Sequence, residues 1–128
     1  MALNPPIRDW QDRRCWIIGA STGIGAALAE RLAGLGARVA VSARRAGPLE
    51  ELSARMPAGK GLALPLDITD AAALEKAAAK LARQWHGIDL VVVMAGEYKP
   101  MRAWEIDATA ARSMIEVNLV GCFNVLAA

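Results

Sequence analysis

An apolar run, Cys15-Trp16-Ile17-Ile18, feeds into a turn containing three glycines, Gly19-Ala20-Ser21-Thr22-Gly23-Ile24-Gly25, and an amphipathic run follows at once. Strand, tight turn and helix N-terminus in that order form a cradle for a diphosphate. The first N–H groups of a helix have no intrahelical partners, and the helix dipole places partial positive charge among them. Glycine is needed because a side chain would hold a phosphate away from the backbone. Gly19, Ser21, Thr22, Gly23, Ile24 and Gly25 are therefore the expected diphosphate-side contacts. Glycines at 19, 23 and 25 do not match the G-x-G-x-x-G spacing of many dinucleotide folds. The nucleotide reading thus rests on their placement between strand and helix, and a methyltransferase-like nucleotide site competes with it.

The rest of the chain repeats that unit. A helix is expected over about Gly23 to Leu35, with Ile24, Leu28, Leu32 and Leu35 on one face, then a strand over Ala37 to Ala43. Gly47-Pro48-Leu49-Glu50-Glu51 reads as a helix start, with Pro48 at the first helical position and acids in the first turn. A third strand, about Gly61 to Leu66, carries Pro65, which suits a sheet edge or a strand end because proline donates no ladder hydrogen bond. Asp70 opens a helix to about Trp85, and His86 and Gly87 close it, so His86 reads as a solvated helix-end residue. A fourth strand covers Ile88 to Ala95, followed by a loop with Tyr98, Pro100 and Trp104. The last helix, from about Asp107, is apolar on nearly every side and calls for burial in a core or a subunit interface. Alternating strands and helices imply an α/β fold: a parallel sheet, helices on both faces, right-handed crossovers.

Length and composition narrow the function. One domain is expected from 128 residues, set as residues 14–128 behind a tail at 1–13 in which Trp10 is the one anchor. Net charge is +2 and the basic residues form no stripe, which argues against nucleic acid. There is no metal-ligand spacing, so no metal is expected, and Cys15 and Cys122 read as packed, reduced thiols. The longest clean apolar run, Leu90 to Ala95, is too short to span a membrane, and the N-terminus lacks a signal-type apolar core. A soluble, cytoplasmic protein is expected.

The end of the second strand bears on the nucleotide. NAD binders usually place an acid there to accept from the ribose 2′-hydroxyl. Here the segment is Val41-Ser42-Ala43-Arg44-Arg45, with no acid and two guanidiniums suited to a 2′-phosphate, while Ser42 offers a further donor. NADP is favoured over NAD.

At these residues the chain resembles the short-chain dehydrogenase/reductase family, over nearly its whole length after residue 14. The glycine turn is similar to that family's T-G-x-x-x-G-x-G, with Ile18 in place of the Thr. Leu66-Asp67-Ile68-Thr69 resembles the segment whose Asp hydrogen-bonds the adenine amino group, which implies Asp67, with Ile68 beside it, as an adenine contact. Val93-Met94-Ala95-Gly96 is similar to N-N-A-G, with both Asn positions replaced, and implies Ala95 and Gly96 on the ribose side. Glu116-Val117-Asn118-Leu119-Val120-Gly121 resembles the segment of the helical catalytic Asn, which implies Asn118 in a proton relay. The family's Tyr-x-x-x-Lys follows that helix; Tyr98 precedes it and Arg102 stands four residues on, so the catalytic role is not carried to Tyr98.

The resemblance implies a Rossmann-type sheet of order 3-2-1-4, truncated after about four strands. It also implies NADP-dependent oxidation or reduction of a small carbonyl or alcohol substrate in the complete enzyme. A non-catalytic NADP-binding sensor or interaction module is the alternative. The final helix or the apolar edge of the fourth strand is expected to pack against a second copy of the chain.

Overall fold

Residues 15–18 are apolar at every position, and a parallel strand of that kind is stable only with both faces covered. The computed structural model describes residues 6–128 and covers them so. In chain order it contains β1 (Arg14–Ile18), α1 (Gly23–Gly34), β2 (Arg38–Ser42), α2 (Ala46–Arg55), β3 (Gly61–Ala63), α3 (Ala71–Trp85) and β4 (Leu90–Val93). A 3-10 turn (Ala103–Glu105) leads to α4 (Ala108–Ile115), a π-helical segment (Glu116–Val120) and α5 (Gly121–Ala127). The strands are all parallel, in the order β3-β2-β1-β4.

The pleat divides the core in two. Cys15, Ile17, Val39 and Val41 face α1 and α2, where Ala29, Leu32, Ala33, Leu49 and Leu52 are buried. Trp16, Ile18 and Ala40 face α3, represented by Leu74, Ala77 and Leu81. Both thiols are free, and burial pushes that of Cys15 up to about 11. The N-terminal ends of β1 and β4 are joined by one ion pair. Asp89 Oδ2 accepts from the backbone N and Nε of Arg14, both at 2.8 Å, while Nη1 of Arg14 donates to the carbonyls of Trp85 and His86 that end α3.

Several expectations are corrected. Helix α1 turns Gly25, Ala29, Leu32 and Ala33 inward, and Ile24 is 74% exposed, because the small residues let the helix lie close to the sheet. Helix α2 begins at Ala46, so Pro48 is its third residue, where the missing N–H is still harmless, and neither acid lies in the first turn. Strand β3 stops at Ala63, leaving Pro65 beyond its end at the sheet edge. The final helix is not buried all round: Ile115, Leu119, Phe123 and Leu126 are exposed, and Val117 and Val125 face the core. His86 does end α3, in the left-handed conformation. Of the tail, residues 1–5 lie outside the described residues, while Trp10 packs on the core and Arg13 accepts from the N–H of Arg38.

Candidate functional site

The loops leaving the C-terminal ends of all four strands surround a cleft of about 650 Å³, the place where open parallel sheets take ligands. Its centre is the glycine turn. Gly19 has φ +93°, its N–H donates to the carbonyl of Ser42 at 2.7 Å, and a Cβ on it would overlap the backbone of Met94 and Ala95. The carbonyl of Ile18 accepts from the N–H groups of both Met94 and Ala95, so the exits of β1, β2 and β4 are tied at one point. Thr22 precedes α1 without a side-chain cap, so its side chain satisfies none of the first-turn N–H groups of this helix, the groups by which helix starts hold anions.

Gly19, Ser21 and Thr22 line the cleft, as do Arg44, Arg45, Asp67, Ile68, Ala95 and Gly96. Gly23, Ile24, Gly25 and Asn118 do not. Gly23 opens α1 with φ +64° and nothing near the position a Cβ would take, so it serves the shape of the turn. A Cβ on Gly25 would overlap the Gly19 carbonyl, which makes Gly25 the residue that lets α1 seat against β1. Ile24 points to solvent. Ser42 is likewise removed from the cleft: it is fully buried, and its Oγ accepts from Trp16 Nε1 at 2.8 Å.

At the β2 and β3 side the cleft carries two guanidiniums and one carboxylate. Arg44 and Arg45 follow β2 after Ala43, and no carboxylate stands among the residues from Ser42 to Arg45. Asp67 Oδ1 accepts from the backbone N and the hydroxyl of Thr69, at 2.9 and 2.8 Å, closing a tight turn. Those bonds, with the Arg44 charge, hold its carboxyl below the usual range and keep it an acceptor.

At the β4 side stands a residue that the motifs did not single out, Glu97. Its backbone is clamped by Asn118, whose Oδ1 accepts from the Glu97 N–H and whose Nδ2 donates to the Glu97 carbonyl, both at 2.7 Å. Ser113 on α4 donates to Glu97 Oε2 at 2.8 Å. Asn118 sits in the π-helical segment, where the widened turn carries its amide toward the loop after β4. The signal for Glu97 was its place directly after Ala95-Gly96, at the mouth of the last strand.

A family model described as short chain dehydrogenase matches residues 13–128. The chain is 32% identical over 132 aligned positions to the mouse protein "Dehydrogenase/reductase SDR family member 7", covering 91% of this chain and 39% of that one. Among solved structures it resembles a short-chain dehydrogenase/reductase variant from Serratia marcescens, with 30% identity and a TM-score of 0.86, covering 93% of this chain and 50% of that one. It also resembles a short chain dehydrogenase from Burkholderia cenocepacia in complex with NADP, with 26% identity and a TM-score of 0.84, over 93% of this chain and 50% of that one. The chain thus spans about half or less of the length of these relatives.

Proposed function

The chain belongs to the short-chain dehydrogenase family, and from that premise we propose that it is the NADP-binding portion of an oxidoreductase acting on a carbonyl or alcohol substrate. Membership sets aside the methyltransferase-like reading. The observation that carries the choice of NADP is the pair Arg44–Arg45 on the cleft wall at the end of β2, where a carboxylate would be needed for an unphosphorylated ribose.

The residues present fit the dinucleotide. The uncapped start of α1 takes the diphosphate, with Gly23 leaving open space beside it. Arg44 and Arg45 pair with the 2′-phosphate, Asp67 accepts from the adenine amino group beside Ile68, and Ala95 with Gly96 border the sugar on the β4 side. When bound, the nicotinamide supplies the hydride chemistry, and the chain's part is to hold and orient it. Asn118 acts in this reading as a positioning residue: its amide fixes the loop through the Glu97 backbone.

The test is calorimetric titration of the chain with NADPH and NADH. NADPH is expected to bind more tightly, and Arg44→Ala with Arg45→Ala should remove most of that preference while leaving NADH unchanged. Equal affinity of the parent chain for both nucleotides would refute the assignment.

Self-association through the final helix is part of the main proposal, carried by the exposed Ile115, Leu119, Phe123 and Leu126. Sedimentation equilibrium showing only monomer would rule it out.

A further inference from the structure

The cleft is electrically polar along its length. Arg44 and Arg45 stand on its β2 side, where with the Asp67 carboxylate they leave a net positive charge, and Glu97 stands at its β4 end, across the glycine turn. Glu97 is in no ion pair among the described residues. The cations closest to it in sequence are engaged elsewhere: Lys99 lies 3.6 Å from Asp107, and Arg102 lies over the Trp104 ring. Its carboxylate is nevertheless held in place. Ser113 fixes one oxygen, and Asn118 fixes the backbone on both sides of the residue. A carboxylate held this way contributes a directed field rather than a mobile surface charge.

A dinucleotide whose 2′-phosphate meets the arginines lays its nicotinamide half toward the loop after β4, because the two halves lie on opposite sides of the strand-order reversal. The oxidised ring carries a positive charge and the reduced ring none. We propose that Glu97 is a specificity residue that makes this cleft favour NADP in its oxidised form over NADPH, through the charge of its carboxylate at the nicotinamide end. The inference rests on the NADP reading above and deepens it. Neither the glycine turn nor the arginines distinguish the two redox forms, since both forms share the same diphosphate and 2′-phosphate; Glu97 does.

The experiment is calorimetric titration of the chain and of Glu97→Gln with oxidised NADP, NADPH and 2′,5′-ADP, a fragment without the nicotinamide. Glutamine keeps the size and the Ser113 hydrogen bond and removes the charge. Glu97→Gln is expected to lower the ratio of oxidised to reduced affinity by roughly three- to tenfold, as for a unit charge pair in a partly solvated cleft. The affinity for 2′,5′-ADP should stay within about twofold, a change worth less than half a kcal/mol. An unchanged ratio with all three ligands still bound overturns the role of Glu97 and leaves the NADP reading intact. Equal weakening of all three also overturns it, because Glu97 would then only shape the loop. Failure of the parent chain to bind any of the three overturns the NADP reading itself, and this proposal with it.

Discussion

Trp16 and Ser42 share one buried hydrogen bond, and its removal has a calculable effect. Trp16 lies opposite Ala40 in the β1–β2 ladder, and Ser42 follows two residues later on the same face. The indole is 1% exposed and the serine 0%, so neither group has water as an alternative partner. In Ser42→Ala the indole N–H is stranded in the core, at about 1–3 kcal/mol for an unsatisfied buried donor. For 128 residues the unfolding entropy is about 270 cal/mol/K, so a loss of about 2 kcal/mol lowers Tm by roughly 7 °C. Trp16→Phe also loses stability, through the smaller ring, but in the double variant no orphan donor remains. A double-mutant cycle followed by urea unfolding should therefore show coupling of about 1–2 kcal/mol between the two sites. Additivity within about 0.5 kcal/mol, or a Ser42→Ala variant that melts within a degree or so of the parent, would refute this account of the strand pair.

The glycines are expected to separate by mechanism rather than by motif. Gly19→Ala and Gly25→Ala place a Cβ on backbone atoms and should each cost more than about 3 kcal/mol in chemical denaturation, whereas Gly23→Ala meets open space and loses only about 1–2 kcal/mol for its left-handed backbone. Asp89, held by Arg14 well below the usual carboxylate range, should stabilise the fold at every pH above its unfolded value of about 4. That contribution is lost as pH falls toward the depressed folded value, so the stability gap between parent and Asp89→Asn should be flat from neutrality to about pH 5 and narrow only below it. A gap that instead grew in acid would contradict the Arg14–Asp89 geometry.

The strand–turn–helix unit and the alternation of strands and helices were readable because they depend on period and on glycine placement, both local properties of the chain, whereas the sheet order was implied by the family resemblance. Gly19 and Arg44 followed from the same logic, as residues at strand ends, whereas Asp67 and Ala95 came from the resemblance of their segments to the family's motifs; all four line the cleft. What was not readable depends on the third dimension. Ser42 is one residue from Ala43 on the cleft wall, yet the pleat turns it into the core toward Trp16. Ile24 looked like a core residue by spacing, but the close approach of Gly25 to the Gly19 carbonyl rotates α1 so that small residues meet the sheet. The apolar final helix gave no sign of which sides would be covered, because a helix apolar all round has no preferred face. Glu97 escaped attention because its importance comes from Ser113 and Asn118, which are distant in sequence.

The carbonyl of Ser42 receives the N–H groups of Gly19 and Ala20, at 2.7 and 3.2 Å, and the two arginines begin only two residues later. The anchoring of the glycine turn therefore uses main-chain atoms at the end of β2, while the selection proposed for the nucleotide uses side chains of the loop that follows it. On the proposed reading, nucleotide preference is a replaceable cassette. The side chains at 44 and 45 can be exchanged for a carboxylate-bearing pair without altering a bond that shapes the turn, so under that reading a lineage, or an engineer, would retune this cleft to a different coenzyme in one or two substitutions.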